Sequence, residues 1–238
     1  MNRVEERKVI GVDIGNTAVK TAEFFSDRIG EVVRWTSLED VMHVHGSDKL
    51  VLSAVGKRNA SLEPYFEITS KSRLPIKLNY QTPETLGADR IAAAVGAWIR
   101  FPGLNILIID GGTCITYDVV TADGTFQGGI ISPGLETRFK AMHSFTAGLP
   151  MLTSEPLSEA QLIGKTTIEC MRIGAQEGLN FEINGFLETF NKKYDRLQVV
   201  ITGGLAPGFE SKLKAPIFAS SKIVLEGMHA IWKINEGI

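Results

Sequence analysis

The chain has 238 residues, 44% of them apolar and 22% charged, a balance that suits one large core or two modest ones and excludes wholesale disorder. A formal net charge of −2 gives no electrostatic case for nucleic acid or an anionic membrane as partner, and no stretch approaches the roughly 20 apolar residues of a membrane helix. Cys114 and Cys170 stand alone, without a CxxC pair or a histidine at ligand spacing, so neither a disulfide framework nor a zinc site is readable. The charged start, MNRVEERK, is not a signal-peptide core, and a reducing, cytoplasmic setting is expected.

Val9 to Val12 is a short apolar run suited to a central strand covered on both faces. The turn residues Asp13-Ile14-Gly15-Asn16-Thr17 interrupt it, and Ala18 to Phe24 alternates like the returning strand of a hairpin. A helix is predicted from Ser37 to Val44 and a strand from Leu50 to Val55. Thr82-Pro83-Glu84 looks like a helix start, with a capping hydroxyl and a proline whose missing N–H costs nothing there. Ile91, Ala94, Val95, Trp98 and Ile99 recur on one helical face until Phe101-Pro102-Gly103 stops the helix. Ile106 to Ile109 reads as a buried strand running into Asp110-Gly111-Gly112-Thr113, and Cys114 to Val120 returns from it. Thr167 to Tyr194 has a helical period, with Gly185 as the place where it would break. Leu197 to Ile201 is a strand entering Thr202-Gly203-Gly204, and a terminal helix is predicted from about Ser221 to Lys233.

A repeat emerges from this order. Asp13-Ile14-Gly15-Asn16-Thr17 and Asp110-Gly111-Gly112-Thr113 each follow an apolar strand and precede a second one. Their separation is far longer than the roughly 20–50 residues of a solenoid repeat, so it implies duplicated domains. An α/β chain of two lobes is expected, residues 1–103 and 104–238, with the boundary near Phe101–Leu104.

The two turns carry the chemistry. Glycine lets backbone N–H groups approach phosphate oxygens that a Cβ would obstruct. Asn16 and Thr17 add neutral donors, Lys20 adds a cation if it faces the cleft, and Asp13 is a hard oxygen ligand suited to magnesium. One Asp-Gly-Thr turn is common hairpin chemistry, whereas two copies at the ends of apolar strands favour a nucleotide-phosphate platform. Thr202-Gly203-Gly204 could then let an adenosine lie against bare backbone.

These residues resemble the superfamily of actin, heat-shock chaperones and sugar kinases, in which two ribonuclease-H-like lobes clasp ATP. Within it the chain is similar to the type III pantothenate kinases. Asp13 to Lys20 resembles their DxGNTxxK motif, Gly87-Ala88-Asp89-Arg90 their GADR motif, and Asp110 to Thr113 their DxGT turn. Gly128 to Gly134 resembles their GGxIxPG stretch, and Thr146-Ala147 with Leu149-Pro150 a further element. The resemblance implies ATP-dependent phosphorylation of pantothenate on its 4′-hydroxyl, the first step towards coenzyme A. It implies ATP contacts from Asp13, Ile14, Gly15, Asn16, Thr17, Ala18, Val19, Lys20 and Thr113. Asp89 would be the general base, with Tyr80, Gly87, Ala88, Arg90 and Thr167 lining the pantothenate pocket. Asp110 would hold potassium or ammonium, Mg2+ would accompany ATP, and the protein would be a homodimer through the 167–190 helix.

Two other functions compete with this one. A sugar kinase of the same superfamily would carry a Cys-rich zinc motif that two isolated cysteines cannot supply. A non-catalytic regulator keeping the fold would have lost Asp13, Asp89 or Asp110, and all three are present. On the residues alone, Asp89 and Arg90 could pair on a helix surface, Tyr80 is a half-buried aromatic, and Thr167 is a helix N-cap. His43 and His45 read as surface residues, Cys114 and Cys170 as small buried hydrophobes, and Trp98 and Trp232 as core. Gly148 stands where the family often has a basic residue, and the sequence assigns no role to Arg138 or Lys140.

Overall fold

The computed structural model describes residues 8–54, 65–155, 162–204 and 217–238. Val9–Ile14 forms β1, with Ile10, Gly11 and Val12 buried, at the centre of a five-stranded sheet. The strands β2 (Val19–Glu23) and β3 (Val33–Trp35) continue from it as an antiparallel meander. On its other side β4 (Lys49–Ala54) and β5 (Phe66–Glu67) run parallel, giving the order β3-β2-β1-β4-β5. Val55, the last residue of the predicted strand, lies outside the described residues.

The second sheet repeats that plan. It receives β6 (Lys77–Leu78) at one edge from the first half of the chain and is centred on β7 (Asn105–Gly111). The meander is β8 (Cys114–Val120) and β9 (Thr125–Pro133), and the parallel side is β10 (Leu197–Gly203) and β11 (Ile217–Ala219). Its order, β11-β10-β7-β8-β9-β6, is the first sheet's order with one strand added. The duplication expected from the two Asp-Gly turns is thus present as duplicated topology.

Helices fill the space around the sheets. Ser37 caps α1 (Leu38–His45), its side chain accepting the Asp40 N–H at 3.2 Å. The alanines of α2 (Ala88–Arg100) are strong helix formers with small profiles, and they let α5 (Ile223–Glu236) lie very close. A Cβ on Gly96 would strike the Ile223 carbonyl, and one on Gly227 the Ala92 carbonyl, so the two helices meet backbone to backbone. This pair shares one core with both sheets, including Val51 and Ala22 from the first and Ile106, Ile108 and Val200 from the second. On the far side of the second sheet, α3 (Leu135–Ser144) and α4 (Thr167–Lys193) cover Leu107, Ile109, Tyr117 and Val199.

Several local expectations need correcting. Thr82-Pro83 opens only a 3-10 turn, Pro83–Thr85, because Leu86 is extended and buried in the core; the helix restarts at Ala88. Thr166, not Thr167, caps α4, in a reciprocal pair with Glu169. Gly185 does not break α4: its open face costs about 1 kcal/mol relative to alanine, while Ile183 and Leu187 anchor the opposite face. Both cysteines are exposed rather than buried. Trp232 is core, and Trp98 is partly buried against it.

Candidate active site

Asp13 and Asp110 occupy the same place in the two sheets, one residue before the end of each central strand. Beyond them the chain makes tight turns, closed by the Gly15 N–H on the Ala18 carbonyl at 3.1 Å and the Gly112 N–H on the Cys114 carbonyl at 2.9 Å. The turns meet tip to tip: Thr17 Oγ1 and Thr113 Oγ1 are 3.1 Å apart and share a hydrogen bond. Asn16, Gly15 and Gly112 around that bridge are exposed, so their backbone is open to solvent. Gly134 holds the second turn from behind through its N–H on the Thr113 carbonyl at 3.0 Å, joined there by the Thr137 hydroxyl at 2.5 Å.

Asp89 reaches the same place from another direction. It is the second residue of α2, and its Oδ1 accepts the Arg90 N–H at 2.8 Å. Gly87 admits this arrangement, because a Cβ there would collide with Asp89 Oδ1. The three carboxylates feel one another. Burial pushes Asp13 up to about 7, with Asp89 and Asp110 adding repulsion and Lys20 opposing it. Burial likewise pushes Asp110 up to about 6, with Asp89 adding repulsion and Lys20 again opposing. Asp89 is raised by burial, against the Arg90 N–H that favours its charge. Lys20 pairs in register with Asp13, and its charge acts on both Asp13 and Asp110.

Arg90 does not pair with the Asp89 carboxylate. Its Nε and Nη2 grip Asp118 of β8 at 3.0 Å and 2.5 Å, in a pair that is almost wholly buried. Its guanidinium also lies 5.9 Å from the Tyr80 ring centre, and Tyr80 is half-buried against Gly128 and Phe126. Tyr80, Gly87, Asp89 and Arg90 therefore cluster together, with Ala88 buried beside them. Thr167 is not among them. It is exposed at the start of α4, on the far side of the second sheet. Arg138, left without a role, binds Glu182, Ser132 and the Pro133 carbonyl.

Sequence reasoning missed Asp118, a charge inside an apolar strand and hence a sign of a buried partner. It also missed Ser53, which stands beside Asp13 across the parallel pairing and favours its ionised form. Among the described residues, no three His, Cys, Asp or Glu side chains converge closely enough to hold a metal ion by themselves. Repelling carboxylates without a closed ligand set suit a cation that arrives with phosphate oxygens and water, as magnesium does with ATP.

A family model for the type III pantothenate kinases matches residues 39–189. The chain belongs to that family. A type III pantothenate kinase of Cytophaga hutchinsonii is 39% identical over 95% of this chain and 99% of its own. Among solved structures, a Campylobacter jejuni protein described as a Baf family transcriptional activator superposes with TM-score 0.64, at 19% identity, over 96% of this chain and all of its own. A Sinorhizobium meliloti protein named as a 2-dehydro-3-deoxygalactonokinase gives TM-score 0.59 at 12% identity, covering 95% and 98%. The two structural likenesses establish the two-lobed fold; the enzyme class, a kinase, comes from the family. Among the described residues no helix is long and apolar enough to cross a membrane.

Proposed function

We propose that this type III pantothenate kinase transfers the γ-phosphate of ATP to the 4′-hydroxyl of pantothenate. The observation that carries the reading is the meeting of Thr17 with Thr113 across the lobes, above the coupled carboxylates Asp13, Asp89 and Asp110. In this reading Asp13 to Lys20 and Thr113 line the ATP phosphates, with backbone N–H groups and Lys20 answering their charge. Asp89 is the base: Oδ1 is held by the Arg90 N–H, which fixes the carboxyl plane and leaves Oδ2 for the alcohol proton. Its raised pKa makes it a better proton acceptor than a free aspartate. Arg90, anchored by Asp118, and Tyr80 orient the pantothenate beside Gly87 and Ala88. Positioning and charge neutralisation supply most of the acceleration in phosphoryl transfer, which matches a site built from fixed turns.

Asp110 is proposed to hold a potassium or ammonium ion, and Mg2+ to enter with ATP, both neutralising charge near the phosphates. A cytoplasmic homodimer completes the proposal. Thr167, Cys170, Gly174, Phe181 and Gly185 repeat along one exposed face of α4, and alanine-sized additions at Gly174 and Gly185 would meet only open space. Phe181 is 64% exposed there, an apolar side chain that a second copy would bury. Thr167 could line a pantothenate pocket only across such an interface.

A coupled ADP-release assay with pantothenate against a panel of sugars tests the substrate, and the same assay in potassium, ammonium or sodium salts tests the cation. Turnover should need pantothenate and should fail in sodium alone. Turnover with a sugar instead, or at full rate without any of these cations, would refute the corresponding part.

A further inference from the structure

In both lobes, the phosphate-turn aspartate has a hydroxyl residue opposite it on the parallel neighbour strand: Ser53 for Asp13 and Thr202 for Asp110. Residues in register project from the same face of a sheet, so each hydroxyl stands beside its carboxylate. Thr202 is 4% exposed, and its Oγ1 is buried without a hydrogen-bond partner among the described residues. A buried hydroxyl left unpaired is costly, and such groups persist where something else occupies them. Thr116, on the other side of Asp110, turns its hydroxyl to Asp118. Among the described residues Thr202 Oγ1 is thus left without a partner beside Asp110, as Ser53 Oγ is beside Asp13.

The backbone beside Thr202 is shaped for the same purpose. Gly203 has φ of 83°, and a Cβ on it would run into Asp110 Oδ1 and the Gly111 backbone. The Gly204 N–H closes on the Gly111 carbonyl at 2.5 Å, drawing the ends of β7 and β10 together. The Asp110 carboxylate is thereby confined against β10, in a cradle that any side chain at 203 would fill. Weakly hydrated cations are held by several neutral oxygens in place of their water shell, and one carboxylate cannot supply them. The remaining oxygens must come from hydroxyls, carbonyls, phosphates or water.

We propose that Thr202 Oγ1 is a ligand of the monovalent cation at Asp110, and that this is why the hydroxyl is buried without a partner. The proposal rests on the reading of Asp110 as the cation residue. Thr202→Val keeps the side-chain shape and removes the oxygen, while Thr202→Ser keeps the oxygen. Each variant and the wild type would be titrated with KCl at constant ionic strength, with tetramethylammonium as the replacement cation. Two curves are read: turnover, and the potassium-dependent rise in melting temperature with a non-hydrolysable ATP analogue and no pantothenate. Thr202→Val should raise the half-saturating potassium concentration about ten- to hundredfold in both curves, the usual loss when a group of a metal site is removed. Thr202→Ser should stay close to wild type. If Thr202→Val titrates like wild type in both curves, Thr202 is not a ligand and the Asp110 reading survives. A wild-type protein indifferent to potassium in both curves would overturn the two together. If the valine variant does not fold, Thr202→Ala removes the same oxygen and is judged by the same curves.

Discussion

Asp89 differs from Asp13 and Asp110 in what holds it. The other two are strand residues in fixed register, whereas Asp89 hangs from the first turn of a helix by one hydrogen bond to its neighbour's N–H. Asp89→Asn keeps the size and that bond but removes the base, so turnover should fall by roughly 10²–10⁴-fold. The ATP dissociation constant and the melting temperature, measured on the same preparation, should hardly move. A folded variant with near-normal turnover would reject Asp89 as the base. Asp13 and Asp110 make a different forecast. Their folded-state values, about 7 and about 6, lie above the ordinary 3.8, so the folded protein keeps protons that the unfolded chain releases. The stability tied to those protons is complete below the unfolded value and is lost as pH rises through the folded ones. The melting temperature of the ligand-free protein should therefore drop between about pH 5 and pH 8 from this source. Magnesium–ATP favours the ionised carboxylates, so its binding near pH 6.5 should release protons, read by calorimetry in buffers of differing ionisation heat. Equal heats in all buffers would contradict the assignment.

At the scale of elements, legibility followed chemistry. The turns after β1 and β7 could be read because their Asp, Gly and Thr residues form the same pattern twice, and apolar runs mark the strands that deliver them. β9 and α3 carry no such restriction: Gly128, Gly129 and Gly134 break the alternation, and α3 buries only Phe139. The link from Arg90 to Asp118 was equally hidden, because it joins α2 to β8 through tertiary packing alone. Thr82 misled because its hydroxyl bonds Thr85 rather than capping a helix. The Gly96–Gly227 crossing was also silent, since glycine in a helix normally signals weakness. Here it is a contact surface, and Gly227→Ala should push α5 off α2 and cost about 1–3 kcal/mol by denaturant unfolding, the usual penalty of overpacking. Full stability in that variant would show that the helices can separate freely.

The whole molecule is two copies of one sheet plan, facing each other across α2 and α5 and touching again at Thr17 and Thr113. The duplication was readable from the paired turns, but the exposed face of α4 was not, since Phe181 looks like a core residue until the helix is oriented. Phe181→Asp should shift the sedimentation of the protein from dimer towards monomer without changing its far-ultraviolet circular dichroism. A variant that sediments like wild type would remove α4 from the interface.

The α2–α5 crossing also decides which partner travels during a reaction. Asp89 stands at the tip of a helix whose middle is locked to α5 with no side chain between them, so the carboxylate has no slack along its own axis. The turns at the strand ends are joined across the lobes by one threonine pair and have no such backbone lock. If Asp89 receives the alcohol as proposed, the acceptor is presented from a fixed anvil, and any closing stroke belongs to the nucleotide.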